Sequence, residues 1–215
     1  AMVANVGGVL KKIKHEIRAL ESTSSNFKNQ LEQATREIKH LKNKMAQYRD
    51  EALKDPLTRI ANRRGFDQHI EATIASVNQH NTFPCLILAD IDYFKNVNDI
   101  HGHLVGDHVL RLVAATIKSS IKGRDIVARI GGEEFAVLLP STPFEGAMTL
   151  AESMRSSFER LNFKSRVSRK TLGTITLSFG VTKYKEGESI DDFIQRADEA
   201  LYKSKNTGRN KVTGI

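Results

Sequence analysis

The sequence predicts an α+β domain of ferredoxin-like, split β-α-β order (βαββαβ), preceded by one long coiled-coil helix. Three observations carry that expectation. Apolar or small residues recur at alternating spacings of three and four through residues 10–52. Strand-like and helix-like runs then follow as strand–helix–strand–strand–helix–strand, with additions at both ends. The two middle strands are joined by Gly131-Gly132, and paired glycines accept the positive φ angles of a tight hairpin. An antiparallel sheet with helices on one face satisfies this order.

The N-terminal seam is Leu10, Ile13, Ile17, Leu20, Ser24, Phe27, Leu31, Ala34, Ile38, Leu41, Met45, Tyr48 and Ala52. A strict 3.5-residue period keeps one narrow stripe facing a partner helix. No proline interrupts it, and Ser24 is its one polar insertion. A helix of more than 40 residues is roughly 60 Å long, too long to pack on its own globular domain. We therefore expect residues 1–52 to form a parallel homodimer and residues 53–215 to form the globular domain.

Composition narrows the function classes. With 215 residues, 40% of them hydrophobic, the chain has enough material for one sizeable core plus an extra element. No apolar run approaches the ~18 residues of a membrane span, and no leader pattern opens the chain. Cys85 is the only cysteine and sits in an apolar run, which fits a reducing cytoplasm and no thiolate metal site. The opening Ala1-Met2 leads us to expect an upstream sensor region, which could carry a membrane anchor. The net charge is +8, and residues 1–54 hold 11 Lys+Arg against 6 Asp+Glu. Acids and bases interleave there, so a solvated helix surface is expected rather than a nucleic-acid interface.

In the globular part, Asp55-Pro56-Leu57-Thr58 ends the coil with a turn. Asn62-Arg63-Arg64-Gly65 leads into a helix bearing Phe66, Ile70, Ile74 and Val77. Cys85 to Ile91 is apolar until its end, the mark of a strand buried on both faces. A glycine-punctuated link, residues 101–107, opens a helix with Val109, Leu110, Val113, Ile117 and Ile121 on one face. After the hairpin come a helix over residues 144–161, a polar loop over 162–172, a strand over 174–181, a helix over 190–205 and a short final strand over 211–215.

In this order the first strand and the hairpin lie side by side, which brings Asp90 near Glu133 and Glu134, with Asp92 a further candidate. Clustered carboxylates are paired with basic groups or bridged by cations. An all-oxygen set selects Mg²⁺ or Mn²⁺ over zinc, the usual holders of a nucleotide's phosphates. The plainer reading is separate exposed acids in two loops. Lys95, Lys205 and Arg209 are candidate phosphate ligands, although bases at a helix C-terminus also serve as dipole partners. Asn98 and Asp107 suit a guanine edge, because an acidic acceptor matches guanine's N1–H and N2–H donors. His103 is read as a wall of the ligand pocket.

These motifs together resemble the GGDEF-domain diguanylate cyclases: Asp90-Ile91-Asp92-Tyr93-Phe94-Lys95-Asn96-Val97-Asn98-Asp99, Gly102-His103, Gly106-Asp107, Arg129-Ile130-Gly131-Gly132-Glu133-Glu134-Phe135, and Ala200 to Lys205 with Gly208-Arg209-Asn210. Asp55-Pro56-Leu57-Thr58 with Asn62-Arg63-Arg64 resembles the family's entry motif. The likeness covers residues 53–215, and the signature is the GGEEF variant.

The resemblance implies a nucleotidyl-cyclase-like, palm-like domain that condenses two GTP into cyclic di-GMP with release of pyrophosphate. It implies one GTP per domain, a site completed when two domains face each other in a dimer, and two Mg²⁺ or Mn²⁺ per site. By the same resemblance Asp90, the backbone of Ile91 and Glu133 hold the metals. Phe94, Lys95, Lys205 and Arg209 meet phosphates, Asn98 and Asp107 read guanine, and His103 lines the site. Glu133 is the candidate for deprotonating the ribose 3′-hydroxyl, and Glu134 for supporting metal or transition-state charge. Active members often carry an inhibitory product site, RxxD. Here its arginine position is Lys122, ahead of Asp125, and lysine lacks the planar fork of arginine. Weakened product inhibition is expected.

Three rival classes are separable. A silent GTP or cyclic di-GMP receptor conflicts with the complete set of site residues. A coiled-coil dimeriser or nucleic-acid binder leaves the carboxylates unexplained. A cyclase making a cyclic mononucleotide differs in its product.

Overall fold

The computed structural model describes residues 2–77, 82–164 and 171–215, without the side chains of residues 2–6, 9, 25, 162–164 and 171–173. The chain divides into two units, Ala1–Ala52 and Leu53–Ile215. The first is one helix, α1 (Met2–Ala52), 51 residues long. Its hydroxyls do not break it, because Thr23 and Thr35 each donate to a carbonyl four residues back, Ala19 and Leu31, at 2.8 Å. Along it the seam side chains Leu10, Ile17, Leu20, Phe27, Leu31 and Ile38 are exposed.

The second unit opens with a turn in which Asp55 N–H donates to the Ile60 carbonyl and Asn62 N–H to that of Leu53. Asn62 then caps α2 (Arg63–Ala75) by accepting from Gly65 N–H at 2.9 Å. Next come β1 (Cys85–Ile91), α3 (Phe94–His101), α4 (His103–Ser120), β2 (Ile126–Arg129), β3 (Glu134–Leu139) and α5 (Phe144–Arg160). The chain closes with β4 (Asn162–Lys164), β5 (Thr171–Thr174), β6 (Leu177–Lys183), α6 (Ile190–Asn206) and β7 (Val212–Gly214).

Five strands form one sheet in the order β2-β3-β1-β6-β7, antiparallel except for the parallel β6–β7 pair. The first four are the split β-α-β arrangement, and β7 is the short final strand anticipated near residues 211–215. The α+β class is therefore as the sequence predicts, but the coverage of the sheet is not. Helices pack on both faces rather than one. Cys85, Ile87, Ala89 and Ile91 of β1 bury against α4 and α5, through Val109, Val113, Ala151 and Phe158. Leu86 and Leu88 point the other way, into a second core with Phe66 and Ile70 of α2 and Phe193, Ala197 and Leu201 of α6. A strand with apolar residues on both faces needs cover on both sides, and α2 and α6 supply the second cover.

Two further expectations are corrected. The polar segment 162–172 carries short strands at its ends, β4 pairing with β5; its central residues 165–170 lie outside the described ones. The strand placed over 174–181 runs instead from Leu177 to Lys183. Its start is set by register with β1, where Ile91 faces Leu177 and Cys85 faces Lys183.

Candidate active site

The ends of β1 and the hairpin meet at one edge of the sheet. Asp90 of β1 lies opposite Glu134 of β3, and Ile91 N–H donates to the Glu133 carbonyl at 3.3 Å. The carboxylates of Asp90, Glu133 and Glu134 thus share one electrostatic neighbourhood. Burial raises the Asp90 carboxyl above its ordinary 3.8; Lys205 partly offsets this, and Glu134 and Asp92 add repulsion. Burial likewise raises Glu133 above 4.5, followed by repulsion from Asp90, relief from Lys205 and repulsion from Glu134. Lys205 at the end of α6 places Nζ 2.8 Å from Asp90 Oδ2. One lysine therefore partly answers a crowded set of acids.

The link between β2 and β3 differs from a two-glycine turn. Neither Gly131 nor Gly132 has a positive φ. The link holds four residues, Ile130 to Glu133, and is closed by Ile130 and Gly131 N–H groups donating to the Glu134 carbonyl at 3.0 and 3.4 Å. Arg129 braces it from behind, its Nη2 donating to the Gly132 carbonyl at 2.6 Å. Among Arg129's partners is also Asp55, with Nη1 3.3 Å from the carboxylate.

α3 and α4 form a helical corner at Gly102, where φ is 81°, and carry the guanine candidates. Asn98 and Asp107 are both half-buried there. A Cβ at Gly106 would crowd the Asn98 side-chain oxygen, so glycine there leaves Asn98 its position. His103 stands exposed at the first position of α4. The Phe94 ring is buried in the core, which leaves the backbone of Phe94 as its means of meeting a phosphate. Phe94 and Lys95 begin α3, and first-turn N–H groups, which have no intrahelical acceptor, are ready partners for phosphate. The Lys95 side chain is exposed.

Asp92 is close enough to repel Asp90 but has hydrogen-bond partners of its own. Its carboxylate accepts from Thr176 Oγ1 at 2.7 Å, Ser178 Oγ at 2.7 Å and Asn210 N–H at 3.0 Å. Neutral donors on the β6 side have engaged it, so it ties β1 to the turn after α6. Arg209 lies in that turn, its guanidinium 4.4 Å from the centre of the Tyr93 ring.

Lys122 and Asp125 lie before β2, at the end of that strand away from the signature. The Asp125 carboxylate accepts from Lys122 N–H at 3.2 Å and Asp125 N–H donates to the Lys122 carbonyl, closing a tight turn around Gly123.

Sequence reasoning assigned no role to Arg129, Asp55 or Asn210. The first two could have been suspected from a single charge standing beside each of two separated motifs, and Asn210 from its place after Gly-Arg, since asparagine tolerates a left-handed backbone.

Among the described residues no group of three His, Cys, Asp or Glu side chains forms a cage for a metal, and no helix is long and apolar enough to cross a membrane. The oxygen-only pair Asp90 and Glu133, repelling and proton-hungry, still suits a hard divalent cation that completes its shell with water and phosphate.

Residues 52–211 match the family described as diguanylate cyclase, GGDEF domain. Diguanylate cyclase VdcA of Vibrio cholerae serotype O1 is 39% identical over 210 residues, 98% of this chain. Diguanylate cyclase DgcP of Pseudomonas aeruginosa is 32% identical over 96% of this chain. The chain spans 61% and 28% of the lengths of these two relatives. Among solved structures, the coiled coil and GGDEF domain of DgcB from Caulobacter crescentus in complex with c-di-GMP superimposes with a TM-score of 0.83 at 37% identity, covering 88% of this chain and 99% of that one. The active GGEEF domain of a diguanylate cyclase from Vibrio cholerae gives 0.67 at 35% identity, over 72% and 97%. By sequence, sheet topology and signature, this chain belongs to the GGDEF-domain diguanylate cyclase family.

Proposed function

We propose that this chain condenses two GTP molecules into cyclic di-GMP. The observation that carries the reading is the pairing of Asp90 against Glu134, which sets the hairpin's acids beside the end of β1 and under Lys205. In each of two steps the ribose 3′-oxygen of one GTP forms a bond to the α-phosphorus of the other. The bond to the β-phosphate breaks, pyrophosphate leaves, and the hydroxyl proton goes to a base.

Asp90, the Ile91 carbonyl and Glu133 are the groups that would hold Mg²⁺ or Mn²⁺, two per site. Bound there, the cations supply charge neutralisation at the phosphates and acidify the attacking hydroxyl. The raised proton affinity of Glu133 suits it as acceptor of the 3′-hydroxyl proton, with Glu134 supporting local charge. Asn98 and Asp107 read the guanine edge beside His103. The start of α3 at Phe94 and Lys95, with Lys205 and Arg209, receives the phosphates; with a cation held by Asp90, Lys205 would be free to pair with phosphate instead. The protein contributes mainly position and preorganised charge.

Each chain carries one such half-site, so two copies must face each other. The exposed seam from Leu10 to Tyr48 supports a parallel homodimer that keeps two GTP-binding domains at high effective concentration. An upstream sensor region and a cytoplasmic location complete this reading, and no nucleic acid takes part.

The test is product analysis after incubation with GTP and Mg²⁺, beside Asp90→Asn. Cyclic di-GMP from the parent and none from the variant supports the reading. Cyclic GMP, or no nucleotide product under any dimer-forcing condition, overturns it.

A further inference from the structure

We propose that Asp92, Asn210 and Arg155 form a clamp whose task is to position Arg209 for a nucleotide's phosphates. This rests on the reading of Arg209 as a phosphate ligand given above. After α6 the chain reverses through Gly208, Arg209 and Asn210, with φ of 118°, 60° and 46°. Two successive non-glycine residues in the left-handed region persist only where the surroundings over-determine them.

Here both halves of Asn210 are held. Its N–H donates to the buried Asp92 carboxylate at 3.0 Å. Its side-chain oxygen accepts from Arg155 Nη1 at 2.9 Å and its amide nitrogen donates to Glu159 at 2.8 Å. Arg155 is itself fixed on α5 by Glu152 at 2.8 Å and Glu159 at 3.1 Å. Asp92 is anchored from β6 by Ser178 and from the preceding loop by Thr176.

The consequence falls one residue back. With Asn210 pinned, the Arg209 guanidinium lies over Tyr93, 4.4 Å from its ring, and Nη1 donates to the Tyr93 hydroxyl at 3.1 Å. Tyr93 immediately precedes α3, so a long, flexible cation is held beside the helix start assigned to phosphate. The stacking and the clamp together reduce the rotamer freedom lost when Arg209 engages an anion. Asp92 thereby takes a role distinct from that of Asp90 two residues before it: its lone pairs serve geometry, and it acts through Arg209.

The experiment is calorimetric titration of the full chain with 3′-deoxy-GTP and Mg²⁺, a probe that lacks the attacking hydroxyl and so reports binding without turnover. Arg209→Ala is expected to weaken binding about tenfold or more. Asn210→Gly, which keeps the left-handed backbone but removes the amide, and Arg155→Gln, which releases that amide from α5, are each expected to weaken it about three- to tenfold. Neither should weaken it further in an Arg209→Ala background, because the clamp acts only through that side chain. Thermal unfolding of every variant monitors folding, and Arg155→Gln decides the matter if Asn210→Gly fails to fold. Parent-like binding by Asn210→Gly and Arg155→Gln, or equal losses with and without Arg209, overturns the clamp alone. Parent-like binding by Arg209→Ala, or no binding by the parent, overturns the phosphate reading and the clamp with it.

Discussion

Arg129 at the end of β2 holds Asp55 of the entry turn at 3.3 Å and, with the same guanidinium, the Gly132 carbonyl at 2.6 Å. Both partners of the ion pair are largely buried, at 15% and 16% side-chain exposure. Truncating one partner of such a pair strands the other's charge. Arg129→Met should therefore lower the unfolding temperature by several degrees and, by loosening the signature loop, reduce kcat/KM for GTP about 10-fold or more. Differential scanning calorimetry and initial rates check the two effects.

The same pair has a pH signature. Burial raises the Asp55 carboxyl, but two hydrogen bonds from Thr58 and the charge of Arg129 together hold it below 3.8. A depressed folded value stabilises the native state above the unfolded value, and that stabilisation disappears as the pH falls through the folded one. Asp55→Asn should be less stable than the parent at pH 7, with the gap closing below about pH 4. Unfolding midpoints measured from pH 7 to pH 3 would show no convergence if the link is idle.

Glu133 and Asp90 titrate in the opposite sense. Their raised folded values mean that the native state takes up protons more readily than the unfolded chain, so their charges oppose folding as the pH rises. Glu133→Gln should abolish cyclic di-GMP formation yet raise the unfolding temperature by about 1–2 °C, a small gain because the side chain is only half-buried. A fall in stability with the loss of activity would refute this account of the acids.

Protons also compete with a cation for the same two carboxylates. Activity is expected to fall on acidification at pH values above the ordinary 3.8 and 4.5 of these groups, and raising the Mn²⁺ concentration should push that acid limb lower. A limb indifferent to Mn²⁺ would place the titration elsewhere.

Product inhibition is expected to be weak. The Asp125 carboxylate is engaged by Lys122 N–H, and Lys122 has no bidentate fork. Initial rates should change less than twofold on adding excess cyclic di-GMP, whereas Lys122→Arg should introduce measurable inhibition.

Much of this was written in the sequence, because its signals are local. The period of the α1 seam, the apolar run of β1, the helix start near Asn62 and the acids following Gly131-Gly132 each follow from neighbouring residues and the geometry of one element. Pattern also sufficed to order the strands, since a split β-α-β chain has few ways to pair its sheet. What the tertiary structure alone decided are contacts between distant residues. Asp90 and Asp92 look alike in sequence and stand two apart, but β1 ends at Ile91 between them, so the strand's pleat no longer governs Asp92, and one carboxylate meets Lys205 while the other meets Ser178, Thr176 and Asn210. The Phe94 ring became core beside a helix start read as a phosphate site, while Arg129 found Asp55 across 74 positions. Burial and hydrogen-bond partners are properties of the assembled sheet, in which a residue's neighbours are set by register rather than by sequence separation.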